Sequence, residues 1–231
     1  MAGGTRFGVI AGVVLGYAVA MAYLEAAVVA YLQAALGSEG GAIFPLRPAG
    51  EMGELLPIEV GREAATLVMI AAVGLLVGRT RLEAVAWGAV VFGAWDIGYY
   101  AWLRVLSGWP PSLGTPDLLF LIPVPWVGPV WSPVAVSAAL VAVGLVVARR
   151  VRSGGRVVLT ARHWAAGIAG GLLVILSYTL DAGRVLAGGD PGPYPVPVFV
   201  LGMLLALGAA ASVLVRASPD PPAPRGTSRG E

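Results

Sequence analysis

Six stretches of this chain are apolar for long enough to cross a lipid bilayer as helices, and this feature limits the possible folds more than any other. A membrane helix needs about 20 apolar residues to span about 30 Å of hydrocarbon. Hydrophobic residues make up 58% of the 231 residues and charged residues only 12%, whereas about a quarter of a soluble domain is charged. We therefore predict a polytopic membrane protein. The predicted spans cover approximately residues 7–36, 58–78, 82–107, 129–148, 163–187 and 194–216.

A proline-broken apolar segment separates the third and fourth predicted spans. The sequence LLFLIPVPWVGPVW, residues 118–131, contains Pro123, Pro125 and Pro129. Proline removes backbone donors and interrupts a regular helix. The segment is expected to lie at the membrane interface or to form a short re-entrant piece that is shielded by protein. The alternative is that it is simply a hydrophobic stretch that precedes the fourth helix. The predicted fold class is an all-α, polytopic helical bundle of six transmembrane helices with this break between helices 3 and 4.

The domain prediction has two parts. Residues 1–216 form the six-helix transmembrane domain, and the Pro-, Ser- and Gly-rich residues 217–231 form a disordered cytoplasmic tail. The first apolar run continues well past the small residues 20–22, so an uncleaved first helix is expected rather than a signal peptide. Loop 37–57 and the connection 109–129 are expected to form an acidic outer cap.

The arginines predict the orientation in the membrane. Cytoplasmic segments of membrane proteins carry an excess of basic residues. If the N-terminus is inside, eleven of the fifteen basic residues, all of them Arg, fall on the inner side. Both termini are therefore predicted to be cytoplasmic, in the inner membrane of a bacterium. These eleven are Arg6, Arg79, Arg81, Arg149, Arg150, Arg152, Arg156, Arg162, Arg216, Arg225 and Arg229.

The composition also excludes several kinds of chemistry within this chain. There is no cysteine and no lysine, so a thiolate metal site, a cysteine nucleophile and a Schiff-base lysine are excluded. A single histidine, His163, excludes a multi-histidine metal site. The basic loop 149–156 suits contact with anionic lipid head groups, and no folded basic domain surrounds it to bind nucleic acid. No cofactor or resident metal can be named from the sequence.

Among the acidic residues of the predicted spans, four stand out: Glu25, Glu63, Asp96 and Asp181. At about 1.5 Å per helical residue, Glu25 lies about 28 Å beyond Arg6. The same reasoning places all four toward the outer side of the bilayer, where they could converge. An ionisable group in a membrane helix is costly and is a candidate functional residue. The alternative is that these acids pair with other groups and hold the helices in register.

The neighbours of these acids suggest partners. Glu59 and Glu63 lie one helical turn apart, and Arg62 can pair with Glu59 or with a carboxylate on another helix. Tyr99 and Tyr100 follow Asp96 at three and four residues and could donate to it. The ligand or ion candidates are therefore Glu25, Glu59, Arg62, Glu63, Asp96, Tyr99, Tyr100 and Asp181. For Asp181, an ion pair with Arg184 at the end of a helix is expected.

The stretch WDIGYYAWLRVLSGWPPSLGTPDLLFLIPVPWVGPVWSPV, residues 95–134, resembles a group of bacterial integral membrane proteins without an assigned activity. Glu25, EVGREAATLVM at 59–69 and DAGRVLAGG at 181–189 fit the same pattern. The resemblance extends over most of residues 10–210. It implies the membrane architecture and supplies no chemistry.

The leading functional prediction is a binding or transport-related membrane module. Its site for a cation or proton, on the outer leaflet, would be formed by Glu25, Glu63 and Asp96, with Arg62 as the counter-charge. One alternative is a membrane enzyme that acts on a lipid or quinone, with Asp96 or Glu63 as general acid or base. This alternative predicts a lateral cleft near Trp95 and Trp102. Another is a structural or assembly subunit. The bilayer and a cation or lipid-like ligand are the expected partners, and the oligomeric state stays open.

Overall fold

The computed structural model describes residues 2–36, 55–187 and 189–216. The protein is mostly helical, at 77%. In chain order the elements are α1 (Ala2–Leu36), α2 (Leu55–Val77), α3 (Arg81–Ser107), β1 (Pro116–Phe120), β2 (Trp126–Pro129), α4 (Trp131–Arg152), α5 (Ala161–Thr179), α6 (Ala182–Leu186) and α7 (Val196–Arg216). The predicted tail 217–231 lies outside the described residues, as does the predicted outer loop except residues 55–57, which begin α2.

Five stretches of helix in the described part of the chain are long and apolar enough to cross a membrane. They belong to α1, α2, α4, the α5–α6 unit and α7. The helix α3 is not among them, and its position explains its composition. It packs against α1, α2 and α4, and Trp87, Val90 and Leu103 are fully buried along it. Because other helices shield α3, its polar side chains need not face lipid.

The proline-broken segment forms an antiparallel β-hairpin, which the all-α prediction did not include. The two strands pair from Pro116 opposite Pro129 to Phe120 opposite Trp126, with a bulge in β1. Pro123 falls in the turn, where no ladder hydrogen bond is needed, and Pro129 ends β2. A pair of strands therefore satisfies the backbone of a segment that proline prevents from forming a helix.

The fifth predicted span, 163–187, is divided in the structure. The helix α5 ends at Thr179, and a turn at residues 180–181 leads into the short helix α6. The pair α5 and α7 packs closely: a Cβ placed on Gly170 would lie 2.7 Å from the Gly202 carbonyl oxygen. Apart from this pairing, α5 and α7 make few contacts with the other long helices. The bundle therefore consists of α1–α4 and the pair α5/α7, with the hairpin between them.

The glycine pairs 12/16 and 167/171 have the small-residue spacing that favours close helix packing. A Cβ at Gly12, Gly16, Gly167 or Gly171 would meet no atom within 4 Å, so these glycines do not bring helices of this chain together. The close contacts instead use Gly170 and Gly202, and Gly93 where α3 meets α4.

Gly93→Ala is expected to destabilise the protein by about 1–3 kcal/mol, the usual cost of overpacking. The added methyl group would collide with the Ser137 carbonyl oxygen and lie 2.9 Å from Val141 Cγ2. Gly88→Ala is the matched control on the same helix, since its Cβ would meet nothing within 4 Å. This control should be neutral or stabilising by up to about 1 kcal/mol, because alanine favours helix. Thermal unfolding in detergent compares the two, and equal losses would contradict the predicted contact.

Candidate functional site

A polar cavity of about 60 Å³ lies at one end of the bundle. The last third of α1, the first turns of α2 and the second half of α3 meet there, and β1 closes it. Successive antiparallel helices bring these parts of the chain to the same end. The polar and aromatic side chains that line it are Gln33, Glu59, Arg62, Glu63, Thr66, Trp95, Asp96, Tyr99, Tyr100, Trp109, Asp117 and Phe120. We call this space the acidic cavity.

Arg62 joins two of the acidic residues. Its Nε donates to Glu59 Oε2 at 3.0 Å, and its terminal nitrogens contact Glu59 Oε1 and Glu25 Oε2. Both partners that the sequence suggests for Arg62 are therefore present, one on α2 and one on α1. Thr66 Oγ1 donates to the other oxygen of Glu25. Glu25 thus lies directly behind Arg62, with each carboxylate oxygen engaged.

Glu63 ties α2 to the hairpin. Both of its carboxylate oxygens lie 3.0 Å from the Leu121 backbone nitrogen, which donates to them. Leu121 directly follows β1, where the ladder to β2 has ended. Only 6% of Glu63 is exposed, so this N–H would otherwise be buried without an acceptor. The contact gives Glu63 a structural role beside any chemical one.

Asp96 pairs with a residue that the sequence analysis did not identify. Ser137 Oγ on α4 donates to Asp96 Oδ2 at 2.8 Å, and both side chains are buried. The predicted donation from Tyr99 or Tyr100 is not found among the described contacts. Instead, the Tyr100 hydroxyl donates to Asp117 Oδ2 at 2.7 Å, because the hairpin presents an acceptor there. Tyr99 packs edge-on against Tyr100, with ring centroids 5.3 Å apart.

Asp117 is the acidic residue of this site that sequence reasoning missed, since GTPD at 114–117 looks like an ordinary turn. It lies on β1 and is 7% exposed. Burial, and to a smaller extent the nearby Asp96 carboxylate, raise the pKa of Asp117 to about 7, although the hydrogen bonds from Tyr100 and the Leu118 N–H lower it. The apolar LLFL that follows Asp117 was the one available signal that this carboxylate begins a buried strand.

Trp95 supplies a hydrogen-bond donor without a partner. It lines the acidic cavity and is 7% exposed, and its indole N–H makes no hydrogen bond to any of the described residues. A buried donor without a partner is costly unless water or a ligand accepts from it. At about 15 Å³ for each water, the cavity has room for about four water molecules.

Asp181 does not join the other acids, so three of the four predicted carboxylates meet and the fourth does not. Asp181 Oδ2 accepts a hydrogen bond of 2.7 Å from the Gly192 N–H. It lines a separate cavity of about 280 Å³ together with Tyr178 and Tyr194. The predicted ion pair with Arg184 is absent from the described contacts. The break after α5 explains the difference, since it redirects the chain at Asp181 toward the connection that precedes α7.

The charges in this region do not balance if every acid is ionised. Glu59, Glu63, Asp96 and Asp117 line the acidic cavity, and Glu25 lies behind it. Among the residues that the structure describes, Arg62 is the one basic side chain that lines it. Exposure falls inward, from 24% for the Arg62 side chain and 18% for Glu59 to 7% for Glu25. Within the described ranges, no group of three or more His, Cys, Asp or Glu side chains is arranged to hold a metal ion.

No protein-family model matches this chain, and neither a curated protein nor a solved structure matches it. The resemblance of residues 95–134 to bacterial membrane proteins therefore stays a prediction. The proposals below depend on the residues and their geometry.

Proposed function

We propose that the chain spans the bacterial cytoplasmic membrane six times, with both termini in the cytoplasm. Five apolar stretches of helix support this topology, and α3 serves as the remaining span, shielded by α1, α2 and α4. The excess of arginine on the side that carries the N-terminus supports the orientation. In this arrangement the acidic cavity lies toward the outer leaflet, because it is at the end of α1 and the start of α2.

Within that topology, we propose that the protein is a binding or transport-related module whose acidic cavity binds protons. The observation that carries this proposal is that, among the described residues, five carboxyl groups and a single guanidinium group lie at or directly behind one largely buried cavity. Several uncompensated negative charges in a low-dielectric interior would cost many kcal/mol, and such groups hold protons instead. The cavity is then a place where protons are taken up and released.

A proton fits this cavity better than a metal ion does. The carboxylates of Glu25, Glu63 and Asp96 each accept a hydrogen bond from a different protein donor, so each is oriented toward its own donor. No three-ligand arrangement is present among the described residues. The volume of about 60 Å³ suits a few water molecules, through which protons can move between the carboxyl groups.

The exposure of the side chains decreases from one side of the acidic cavity to the other, which suggests the path of a proton through the proposed site. Arg62 and Glu59 are partly exposed, whereas Asp96 and Asp117 lie deeper and are more than nine-tenths buried. A proton would enter beside Glu59 and reach Asp96 or Asp117 through water in the cavity. Asp96 also lines a second, apolar space between α3/α4 and α5/α7. It is therefore the acid that separates the acidic cavity from this apolar space.

Infrared spectroscopy of the full chain in phosphatidylcholine nanodiscs tests the proposal. The carbonyl stretching band of protonated carboxyl groups should be present near neutral pH and should disappear as the pH is raised. Asp96→Asn and Asp117→Asn should each remove a separate part of this band. Asp190→Asn is the matched control, because Asp190 is exposed and lies outside the acidic cavity. It should leave the band near neutral pH unchanged.

The same variants in liposomes loaded with a pH-sensitive dye test transport. A proton flux that Asp96→Asn reduces and Asp190→Asn leaves intact would support a transport role. Absence of the protonated band in the wild type near neutral pH would overturn proton binding. If the substitutions lower only protein abundance and leave the whole band unchanged, the carboxylates have a structural role and the assembly-subunit interpretation replaces this one.

A second candidate is a membrane enzyme that acts on a lipid-like substrate, and one observation favours it. An apolar cleft of about 440 Å³ reaches Asp96 and Ser137 from the side of α5 and α7. The sequence analysis expected a cleft near Trp95 and Trp102, but Phe92, Phe120 and Trp126 supply its aromatic wall. Trp95 lines the acidic cavity instead, and the Trp102 indole donates to the Val19 carbonyl oxygen at 3.2 Å. Product formation from a lipid substrate that Asp96→Asn abolishes would select this candidate.

A further inference from the structure

Two apolar spaces between the α1–α4 bundle and the α5/α7 pair share part of their walls. The first, of about 440 Å³, reaches the hairpin, and the second, of about 380 Å³, reaches His163 and Trp164 at the other end of α5. Val143, Gly167, Ala206 and Ala210 line both of them. The two spaces therefore form one long groove that runs beside α5, which we call the lateral groove.

The sparse contacts between helices explain why this groove exists. The helix α5 packs closely on α7, and α4 packs closely on α3, but few residues of α4 approach α5 or α7. Gly167 and Gly171 face the resulting gap, and a Cβ at either position would meet no atom within 4 Å. A long and narrow apolar space of this kind fits an extended hydrocarbon chain better than a compact ring system.

Polar groups occur at the hairpin end of the lateral groove. The hydrogen-bonded pair of Asp96 and Ser137 lines it there. Trp126 lines the same part of the groove, and its buried indole N–H has no hydrogen-bond partner among the described residues. A head group at this end would therefore meet an acceptor at Asp96 and a donor at Trp126.

The head group of the ligand must therefore be able both to donate a hydrogen bond to Asp96 and to accept one from Trp126. A hydroxyl group can donate to a carboxyl oxygen of Asp96, whether or not Asp96 is protonated, and accept from the Trp126 N–H at the same time. A phosphate head group would place negative charge beside Asp96, and an ammonium group could not accept from Trp126. We propose that the lateral groove binds a long-chain alcohol, aliphatic or isoprenoid, with its hydroxyl group between Asp96 and Trp126. This binding site goes beyond the proposed proton function and does not depend on it.

Photolabelling of the full chain in phosphatidylcholine nanodiscs tests the proposal. The probe is a long-chain primary alcohol with a diazirine in its chain, and peptide mapping locates the label. The label should concentrate on the groove-facing residues of α4, α5 and α7. Gly167→Leu should lower this labelling about tenfold, which corresponds to about 1.4 kcal/mol of lost binding. The new side chain would extend into the groove, since a Cβ at Gly167 meets no atom within 4 Å.

Gly208→Leu is the matched control for this substitution. Gly208 lies on α7 away from the groove, and a Cβ there also meets nothing within 4 Å, so labelling should be unchanged. Thermal unfolding of both variants checks that each is folded. If Gly167→Leu is unstable, Gly171→Leu fills the same groove from the next turn of α5.

Competition experiments test the contribution of the head group to binding separately from that of the hydrocarbon chain. The unlabelled alcohol should displace the probe about tenfold better than its methyl ether, which cannot donate to Asp96. This preference should disappear in Asp96→Leu, which has no acceptor for the hydroxyl group. Equal competition by the ether would overturn the proposal, as would equal labelling of the groove by a photoreactive phosphatidylcholine, which would identify the occupant as bilayer lipid. Loss of groove labelling with the protonated carboxyl band intact would refute this site and leave the proton proposal standing.

Discussion

Replacement of Arg152 by alanine is expected to destabilise the protein by about 3–5 kcal/mol, the usual cost of removing one partner of a buried ion pair. Arg152 Nε lies 2.6 Å from Glu83 Oε1, and Glu83 is completely buried. Arg152 also donates to the Val77 carbonyl oxygen at 2.9 Å, which ties the end of α4 to the end of α2. The Arg79 backbone N–H and the Trp87 indole N–H still donate to Glu83 in the variant, but no positive charge remains beside it.

Equilibrium unfolding in mixed detergent micelles, with increasing sodium dodecyl sulfate, measures this loss. Arg156→Ala is the control, since Arg156 is exposed in the loop after α4 and its removal should change the stability by less than about 0.5 kcal/mol. A similar small effect for Arg152→Ala would show that Glu83 does not depend on its partner. Because these residues lie at the opposite end of α3 from the acidic cavity, the substitution should leave the protonated carboxyl band unchanged.

The contrast between Glu83 and the acids of the cavity shows how one helix can use carboxylates in two ways. Glu83 lies in the first turn of α3, where an arginine and two N–H donors compensate its charge. Asp96, four turns further along, has one hydroxyl donor and no ion pair among the described contacts. The first arrangement fixes the helix, whereas the second leaves a carboxyl group that can exchange a proton.

The long helices could be predicted from the sequence because their signal is local. Each apolar run needs only its own residues to identify it, and the predicted limits of the third span, 82–107, nearly coincide with those of α3. The Arg62 pairings were also foreseeable, since Glu59 lies three residues away on the same helix face and any neighbouring carboxylate could supply the second partner. Spacing within one helix is fixed by the helix itself.

The partners of Asp96 and Tyr100 could not be predicted in this way. They come from α4 and β1, and the sequence does not fix how far α4 is rotated about its axis or that the proline-rich segment would form strands. Spacing correctly placed both tyrosines on the Asp96 side of α3, but proximity along a helix does not decide which acceptor a hydroxyl group chooses. The break at residues 180–181 similarly moved Asp181 away from the other acids.

The stability of the protein is expected to fall as the pH rises from about 4 to about 7, and Asp117 is the residue to which we assign part of this effect. In the folded protein the pKa of Asp117 is raised to about 7 from its ordinary value of 3.8, mainly by burial. The folded state therefore keeps a proton that the unfolded state loses near pH 4. The stabilisation is complete below about pH 4, decreases as the pH rises to about 7, and does not change further above that.

Asp117→Asn isolates this contribution, since asparagine is similar in shape and does not titrate. A difference of about three pKa units corresponds to about 4 kcal/mol, at 1.36 kcal/mol per unit. The free energy of unfolding of the wild type, relative to that of the variant, should therefore fall by up to about 4 kcal/mol between about pH 4 and about pH 7. Unfolding curves at several pH values measure the difference, and Asp190→Asn, at an exposed position, serves as the control. A pH-independent difference between wild type and Asp117→Asn would mean that Asp117 is ionised in the folded protein, and it would remove this residue from the proposed proton site.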